Sequence, residues 1–214
     1  GGITAPKGFK ANGINCGIKK NKGLDLGLIY SDVIADACGM FTTNKIQAAP
    51  LKITQEHLKK NLAQAIIVNS GNANCLTGKT GLINGLHVLH KVSQILGINK
   101  KLILIASTGI IGKQLPVNKI EDNLEGLVNG LSRNGARKAA LSIMTTDKKA
   151  KEISVRLKIK NRDVTIGAMA KGAGMIYPNL ATLLVFITSD VSIKENLLKE
   201  ALKLAINKTF NCIS

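Results

Sequence analysis

Apolar residues recur along this chain with two different spacings, which predict strands and helices in alternation. Residues 153–159 carry an apolar side chain at every second position, a spacing typical of a strand with one buried face. Leucines recur at helical spacing over residues 78–96 and predict a helix there. Short apolar runs at residues 63–68 and 101–106 predict two buried strands.

The remaining patterns complete a mixed architecture. Further strands are predicted at residues 12–19, 24–30, 35–42, 164–170 and 183–188. Further helices are predicted at residues 55–62 with Thr54 as N-cap, from Pro116 to Leu131, at residues 135–144, and from a Ser192/Glu195 capping box to about Phe210. Interleaved strands and helices indicate an α/β or α+β fold with layered sheets, and we expect one domain over residues 1–214.

The composition indicates a globular protein with a basic surface. Its 214 residues can bury one sizeable core, and 45% of them are apolar. The formal charge of +17 first suggests a nucleic-acid partner, but the positive residues are almost all lysines, and aromatic residues for base stacking make up only 3%. We therefore expect a solvated lysine surface and no nucleic-acid partner, and a non-enzymatic basic binding module stays open as an alternative.

Cysteine, histidine and hydropathy patterns indicate a cellular location and argue against metal binding and membrane association. The four cysteines are widely spaced, form no CxxC pair and follow no secretory segment, which fits a reducing, cytoplasmic location. His87 and His90 could share one helix face as metal ligands, but no carboxylate completes the pattern of a zinc-protease helix. We therefore expect structural histidines and no metal. No apolar run approaches the ~20 residues of a membrane span, so we expect no membrane association.

The stretch KGAGMIYPNLATLLVFITSD, residues 171–190, is the first candidate for chemistry. A glycine-bearing loop runs through residues 177–179 and leads from Ala181 to Thr182 at the head of an apolar strand, where strain and a hydroxyl can act on the preceding carbonyl. If the Ala181–Thr182 peptide bond were cut, Thr182 would carry a hydroxyl nucleophile and an α-amine that titrates near pH ~8. A threonine after a Gly/Pro turn is more often inert, so the stretch alone leaves both interpretations open.

A second candidate is ANCLTGKT at residues 73–80, which is close to a phosphate-binding loop between a strand and a helix. An alanine stands where that pattern has its first glycine, and residues 70–72 separate it from the predicted strand. A phosphate loop should begin at the strand end, where successive amides converge on the phosphates. A nucleotide-binding protein using Gly78, Lys79 and Thr80 therefore stays as an alternative.

Seven sequence segments, taken in order along the chain, carry the strongest indication of function. They are GITAPKGF, FTTNKIQAAP, IIVNSGNAN, STGIIGKQLP, IMTTDKKAKE, KGAGMIYPNLATLL and FNCIS. Together they resemble the glutamate N-acetyltransferase family, also called ornithine acetyltransferases, of arginine biosynthesis. Each segment alone is a weak signal, whereas several in this order are specific.

The resemblance implies a self-processing acyltransferase. Such an enzyme is made as one chain and cut between Ala181 and Thr182, which leaves residues 1–181 as an α chain and residues 182–214 as the start of a β chain. Thr182 then attacks the acetyl carbonyl of N-acetylornithine, and ornithine leaves. Glutamate takes the acetyl group from the acetyl-Thr182 intermediate, which makes the reaction a ping-pong transfer.

The resemblance also implies partners for Thr182. The Thr108 hydroxyl and the Gly109 amide match the family's oxyanion positions, and loss of one such donor typically lowers a rate by ~10² to 10³. Thr145 and Lys171, together with Thr182, match substrate-binding positions, and a lysine suits the α-carboxylate of either amino acid. Without the resemblance, Thr108 and Gly109 indicate an ordinary strand-ending turn, and Lys171 a surface lysine.

For the assembled enzyme, the resemblance implies a layered αββα sandwich whose α and β chains stay associated in an α2β2 heterotetramer without a metal. Acetyl-CoA is an acetyl donor only in bifunctional members that also make N-acetylglutamate directly. A self-processing aminopeptidase is the nearest enzymatic alternative. The family is about twice as long as this chain, so we expect a chain truncated at its C-terminus, without the β-chain residues that complete the substrate pocket.

Overall fold

The computed structural model describes residues 1–172 and 183–212. These residues contain seven strands and six α-helices. The strands are β1 (Phe9–Ile14), β2 (Leu26–Asp36), β3 (Leu62–Asn72), β4 (Ile103–Ile110), β5 (Lys151–Ile159), β6 (Arg162–Lys171) and β7 (Leu184–Ser189). The helices are α1 (Ala49–His57), α2 (Gly78–Leu96), α3 (Val117–Glu121), α4 (Leu124–Asn129), α5 (Ala136–Ser142) and α6 (Glu195–Lys208).

The strands form two sheets. In the first, with the order β1-β2-β3-β4, the first two pairs are antiparallel, whereas β3 and β4 are parallel because α2 lies in the connection between them. The second sheet, β5-β6-β7, is antiparallel throughout. Its register places Lys171, the last residue of β6, opposite Leu184, the first residue of β7.

Side chains of the first sheet alternate between two hydrophobic clusters. Leu28 and Ile67 pack on one face with residues of α1, α2, α3 and α4. Ile29 and Val68, the next residues in sequence, point to the opposite face and share a cluster with Met169 of β6 and the alanines of α5. The first sheet therefore lies between helices and the second sheet, which confirms the predicted α/β sandwich.

Several predicted elements are confirmed with small shifts at their ends. The helix predicted at residues 78–96 is α2, and the strands predicted at residues 63–68 and 101–106 are the first parts of β3 and β4. The expectation that β5 has one buried face is wrong for the described part of the chain. Ile153 and Val155 are 64% and 49% exposed, because none of the described segments covers them.

The N-terminal strand pair is predicted correctly, but its boundaries are wrong. Residues 15–25 form a loop, because the fully buried Asp25 carboxylate accepts hydrogen bonds from three backbone N–H groups of this loop. The donors are Cys16, Ile18 and Lys19, at 2.7, 2.7 and 2.9 Å. These amides are satisfied by a side chain and need no neighbouring strand.

The region after β2 is also predicted incorrectly. No separate strand covers residues 35–42, since β2 itself continues through an irregular register to Asp36. Thr54 is not an N-cap but lies inside α1, and its hydroxyl donates to the Ile105 carbonyl over 2.6 Å. The same hydroxyl oxygen accepts the Ile105 N–H over 2.9 Å, so Thr54 fixes α1 against β4.

Two later helices differ from prediction at identifiable residues. The single helix predicted from Pro116 is divided into α3 and α4, and at the break the Asn123 side chain donates to the Lys119 carbonyl over 2.9 Å. The predicted capping box is absent, because α6 begins at Glu195 with Lys194 as its N-cap and has no side-chain cap.

Candidate active site

The parallel strands β3 and β4 end side by side in a polar segment. Ser70 and Gly71 lie opposite Thr108 and Gly109, and the regular register breaks between Gly71 and Asn72. Thr108 is 7% exposed, and the exposed Gly109 has a φ of 131°. Both residues lie within β4, so the interpretation of Thr108 and Gly109 as a strand-ending turn is wrong.

Lys171 extends from the second sheet to this strand end. Its Nζ donates a hydrogen bond to Thr108 Oγ1 over 3.2 Å, and the residue is 3% exposed. Burial lowers the pKa of the Lys171 ammonium, while the Asp147 carboxylate acts in the opposite direction and the Lys151 ammonium lowers it further. Lys171 is therefore a buried lysine that joins the two sheets.

Asp147, in the loop after α5, is hydrogen-bonded to the predicted site residue Thr145 and to Gly172, which follows Lys171. Its Oδ1 accepts the Gly172 N–H over 2.7 Å, and its Oδ2 accepts the Thr145 N–H over 3.5 Å. Lys151 forms an ion pair with Oδ1. Burial raises the pKa of Asp147, but the hydrogen bonds from Lys151, Gly172 and Thr145 outweigh it and hold the pKa below its ordinary value.

Lys19 lies close to Gly71, the residue of β3 that is paired with Gly109. A β-carbon at Gly71 would come within 3.2 Å of Lys19 Cγ, and the Lys19 ammonium donates to the Leu24 carbonyl over 2.7 Å. Burial lowers the pKa of Lys19, whereas the Asp25 and Asp147 carboxylates raise it. Asp147 thus attracts both Lys19 and Lys171.

Sequence analysis missed Asp147 and Lys19 as neighbours of the site. The available signal for Asp147 was its place in the segment IMTTDKKAKE, two residues after Thr145. Lys19 has no such signal, because sequence alone does not distinguish it from the other basic residues, 30 in all.

Asparagine side chains order the loop at residues 69–74. Asn69 accepts a hydrogen bond from the Ser107 hydroxyl over 2.6 Å and donates to the Asn72 carbonyl over 2.8 Å. The Asn72 side chain accepts the Asn74 N–H over 2.8 Å. These bonds connect the ends of β3 and β4 and fix the backbone beside Thr108.

The candidate phosphate loop is occupied by internal hydrogen bonds. The Ala73 N–H donates to the Ile110 carbonyl over 2.9 Å, and the Asn74 N–H donates to Asn72 Oδ1. An open groove of about 360 Å³ beside this loop is lined in part by three lysines, Lys45, Lys52 and Lys79. Because two amides of the loop already have acceptors in the protein, the geometry argues against a phosphate cradle before Gly78.

The predicted cleavage site, Ala181 and Thr182, lies outside the described residues, as do residues 177–179. Four predicted site residues are described. Of these, Thr108 and Lys171 are in direct contact, Gly109 follows Thr108 in β4, and Thr145 is connected to the end of β6 through Asp147.

His87, one of the two histidines considered as metal ligands, lies beside a carboxylate of a neighbouring helix. His87 Nε2 lies 2.6 Å from Glu121 Oε1 of α3. Within residues 1–172 and 183–212, His, Cys, Asp and Glu side chains form no group of three that could hold a metal ion. In the same part of the chain, no helix combines the length and hydropathy needed to cross a bilayer.

The arrangement of sheets and helices defines the class of fold. The L-aminopeptidase D-Ala-esterase/amidase of Ochrobactrum anthropi, described as a variant of the Ntn hydrolase fold, is 11% identical to this chain. The two align with a TM-score of 0.58 over 100% of this chain and 69% of that chain. At this identity the likeness shows a shared fold alone.

A sequence profile identifies the family. The profile of the ArgJ family matches residues 10–214, and the chain belongs to this family. The arginine biosynthesis bifunctional protein ArgJ of Caldanaerobacter subterraneus is 43% identical over 214 residues, which are 100% of this chain and 53% of that protein. The chain therefore spans about half the length of the curated relatives it matches.

Two solved structures are similar in both sequence and fold. The arginine biosynthesis bifunctional protein ArgJ from Bacillus halodurans is 39% identical, with a TM-score of 0.80 over 85% of this chain and 95% of that chain. The ornithine acetyltransferase of Mycobacterium tuberculosis in complex with ornithine is 35% identical, with a TM-score of 0.77 over 86% of this chain and 96% of that chain.

Proposed function

We propose that this chain acts in an acetyltransferase of arginine biosynthesis, which moves the acetyl group from N-acetylornithine to glutamate. The observation that carries the proposal is the buried hydrogen bond from Lys171 Nζ to Thr108 Oγ1, which joins the ends of β6 and β4. Membership of the ArgJ family supports the same reaction, as does the likeness to an ornithine acetyltransferase solved with ornithine.

The nucleophile in this proposal is Thr182, released by cleavage of the Ala181–Thr182 bond. The Thr182 hydroxyl adds to the Ala181 carbonyl carbon, the peptide C–N bond breaks, and water hydrolyses the resulting ester. The products are a carboxylate on Ala181 and a free α-amine on Thr182. This amine titrates near pH ~8 in model peptides, so it can accept the hydroxyl proton during acetyl transfer.

Chain connectivity supports a nucleophile close to the contact between Thr108 and Lys171. Leu184 is paired with Lys171 across β6 and β7. Thr182 precedes Leu184 by two residues, and two residues of chain span at most ~7 Å. In sequence, two residues therefore connect the proposed nucleophile to the start of β7, the strand that pairs with β6 at Lys171.

The size of a solved relative also supports the cleavage. The part of this chain that aligns with the Bacillus halodurans protein is 85% of 214 residues, or about 182, and it covers 95% of that solved chain. A solved chain of this size is close to the proposed α chain, residues 1–181, whereas curated relatives are about twice as long as the chain described here.

Thr108 and Gly109 are the proposed donors to the oxyanion of the tetrahedral intermediate. The Thr108 hydroxyl accepts a hydrogen bond from Lys171, so its own hydrogen is directed to another acceptor. Acceptance from an ammonium also makes the hydroxyl a stronger donor, because successive hydrogen bonds polarise one another. Gly109 contributes a backbone amide at an exposed position without a side chain.

The substrate carboxylates are proposed to bind beside Lys171 and Thr145. An ammonium attracts the α-carboxylate that both N-acetylornithine and glutamate carry, and burial strengthens this attraction because the local dielectric is low. The Asp147 carboxylate accepts the N–H groups of Thr145 and of Gly172, the residue after Lys171, so Thr145 and Lys171 belong to one local unit.

We also propose a quaternary structure and a location for the assembled enzyme. The α and β chains would stay associated as an α2β2 heterotetramer in the cytoplasm, with N-acetylornithine and glutamate as ligands. Acetyl-CoA would serve as a second acetyl donor if the enzyme is bifunctional, as the names of its relatives state for those proteins.

Intact mass spectrometry tests the cleavage. For the 214-residue chain, and for a longer form with any residues that follow it in its gene, we expect two fragments that meet between Ala181 and Thr182. Their masses should sum to that of the uncut polypeptide plus one water. Thr182→Ala should stay uncut, whereas Thr80→Ala, at an exposed position in α2, should be cut normally. Absence of cleavage from both forms would contradict the role of Thr182.

An acetyl-transfer assay then distinguishes the proposed acetyltransferase from the alternative functions. We expect the cleaved longer form, which includes the residues that complete the pocket, to move labelled acetyl from N-acetylornithine to glutamate. Hydrolysis of amino-acid amides in its place would indicate an aminopeptidase. We expect no thermal stabilisation by ATP. Stabilisation that is lost in Lys79→Ala would instead indicate nucleotide binding, and salt-sensitive binding of unrelated nucleic acids would indicate a basic binding module.

A further inference from the structure

One carboxylate, that of Asp147, connects the chain segments that carry the two proposed substrate-binding residues. It accepts the N–H of Gly172, the residue after Lys171, over 2.7 Å, and the N–H of Thr145 over 3.5 Å. The Asp147 side chain is 3% exposed. A carboxylate with so little hydration stays charged only where hydrogen bonds and cations replace water.

The contact with Gly172 is close. A β-carbon at Gly172 would lie 3.1 Å from Asp147 Oδ1, so the backbone at this point approaches the carboxylate more closely than most side chains would allow. This backbone contact holds Gly172, directly after the end of β6, against the carboxylate. It therefore also sets the position of Lys171, one residue earlier, relative to Thr108.

Charges from three elements surround the Asp147 carboxylate. Lys151 at the start of β5 forms the ion pair, Lys171 lies at the end of β6, and Lys19 lies in the loop at residues 15–25. For Lys171 itself, groups of the described residues that act on its ammonium include the Asp147 carboxylate, the Lys151 ammonium and the Thr108 hydroxyl. Asp147 is thus an anion that attracts the Lys171 ammonium.

We propose that Asp147 is a positioning residue for acetyl transfer, which fixes the end of β6 so that Lys171 meets Thr108 and supplies the negative charge opposite the Lys171 ammonium. This inference rests on the proposed function, because that function gives the Lys171–Thr108 pair its role. Asp147 acts through Lys171 and Thr145 and not on the reacting atoms.

The test is an NMR titration of the Lys171 side chain in the 214-residue chain. Lysines are labelled at Cε, and the Lys171 signal is assigned as the one lost in Lys171→Arg. Asp147→Asn should lower the pKa of Lys171, because it removes an attracting anion, and Lys151→Gln should raise it, because it removes a repelling cation. If Asp147 had only a structural role, Asp147→Asn and Lys151→Gln would not shift the Lys171 pKa in opposite directions.

Asp163→Asn is the matched control, since it makes the same change in net charge. Asp163 is exposed and lies eight residues before Lys171 in β6, about 27 Å away and well beyond the ~10 Å screening length at 0.1 M salt. It should leave the pKa of Lys171 unchanged. An unchanged pKa in Asp147→Asn, or shifts of the same sign in Asp147→Asn and Lys151→Gln, would overturn the proposal.

Two features keep the test decisive. The Lys151 side chain is half-exposed, so Lys151→Gln should fold even if Asp147→Asn does not. An unchanged Lys171 pKa in Lys151→Gln would then count against the proposal. The titration also requires no enzymatic activity. Opposite shifts, together with no acetyl transfer by the cleaved longer form, would overturn the proposed function alone, whereas acetyl transfer by that form without the shifts would overturn the role of Asp147.

In the active enzyme, the same charge change has a kinetic signature. Asp147→Asn should shift the basic limb of the kcat/KM profile to lower pH, because Lys171 would lose its proton earlier. Asp163→Asn should leave the profile in place. An unchanged basic limb in Asp147→Asn would contradict the positioning role.

Discussion

The backbones of Gly109 and Gly71 approach each other so closely that a β-carbon added at Gly109 would be 2.4 Å from the Gly71 carbonyl carbon. Gly109 also has a φ of 131°, a conformation that favours glycine. Gly109→Ala should therefore destabilise the protein by ~3 kcal/mol or more, through backbone strain and overpacking together. The free energy of unfolding in urea measures this loss.

Gly112→Ala separates the two contributions. Gly112 has a φ of 76°, but no atom lies within 4 Å of its added β-carbon, so this variant carries only the strain, roughly 1–2 kcal/mol. Equal losses in Gly109→Ala and Gly112→Ala would mean that the close approach of the strand ends contributes nothing.

Thr54→Val tests the side-chain contact that replaces a neighbouring strand at the edge of the first sheet. The Thr54 hydroxyl satisfies both the N–H and the carbonyl of Ile105, which is 4% exposed. Valine has nearly the same shape but leaves both groups without this partner, so we expect a loss of about 2 kcal/mol or more. Thr54→Ser keeps the hydroxyl and should lose much less. Similar unfolding energies for the two variants would contradict the role of the hydroxyl.

The stability contributed by Cys16 should depend on pH. Burial, followed by the nearby Asp25 carboxylate, raises the pKa of the Cys16 thiol from 9.0 to about 12. In the unfolded chain the thiol ionises first. The stability associated with the neutral thiol is therefore complete below pH 9 and is lost as the pH rises toward 12, by at most ~1.4 kcal/mol per pH unit.

A comparison of the native protein with Cys16→Ala measures this effect, because the lysines titrate equally in both and cancel in the difference. Urea unfolding at pH 8 and pH 10 should show that the advantage of the native protein over the variant shrinks at the higher pH. A difference that is the same at both values would contradict a raised thiol pKa.

The sequence predicts elements well where local periodicity decides them and poorly where side chains bond to distant backbone. The helix at residues 78–96 has a continuous apolar stripe and is predicted with its ends. The ends of β1 and β2 depend on the Asp25 carboxylate, and the position of α1 depends on Thr54, which bonds to a residue 51 positions away. Periodicity contains no information on either contact.

The same limit applies to the candidate site. Thr108, Gly109, Thr145 and Lys171 were selected through the family resemblance, and the structure adds that Thr108 and Lys171 touch. Asp147 was not selected, because its contact with Gly172 joins residues 25 positions apart and involves only the Gly172 backbone. A backbone contact of this kind has no signal in residue identity.

Thr108→Ala should lower the rate of acetyl transfer by ~10² to 10³, because the proposed oxyanion loses one of its two donors. Thr108→Ser keeps the hydroxyl and should retain most of the activity. The measurement is kcat for transfer from N-acetylornithine to glutamate, with urea unfolding and intact mass recorded for each variant, so that lost folding or lost cleavage is not mistaken for lost catalysis.

The contact with Lys171 makes this prediction more specific. In Thr108→Ala the Lys171 ammonium loses the hydroxyl that accepts from it, whereas in Lys171→Met the hydroxyl remains and the cation is lost. If Thr108 acts on the oxyanion and Lys171 on the substrate carboxylate, Thr108→Ala should mainly lower kcat, and Lys171→Met should mainly raise KM. Equal effects of both variants on kcat, with KM unchanged, would instead mean that Lys171 acts through Thr108, as a polarising group for the oxyanion donor.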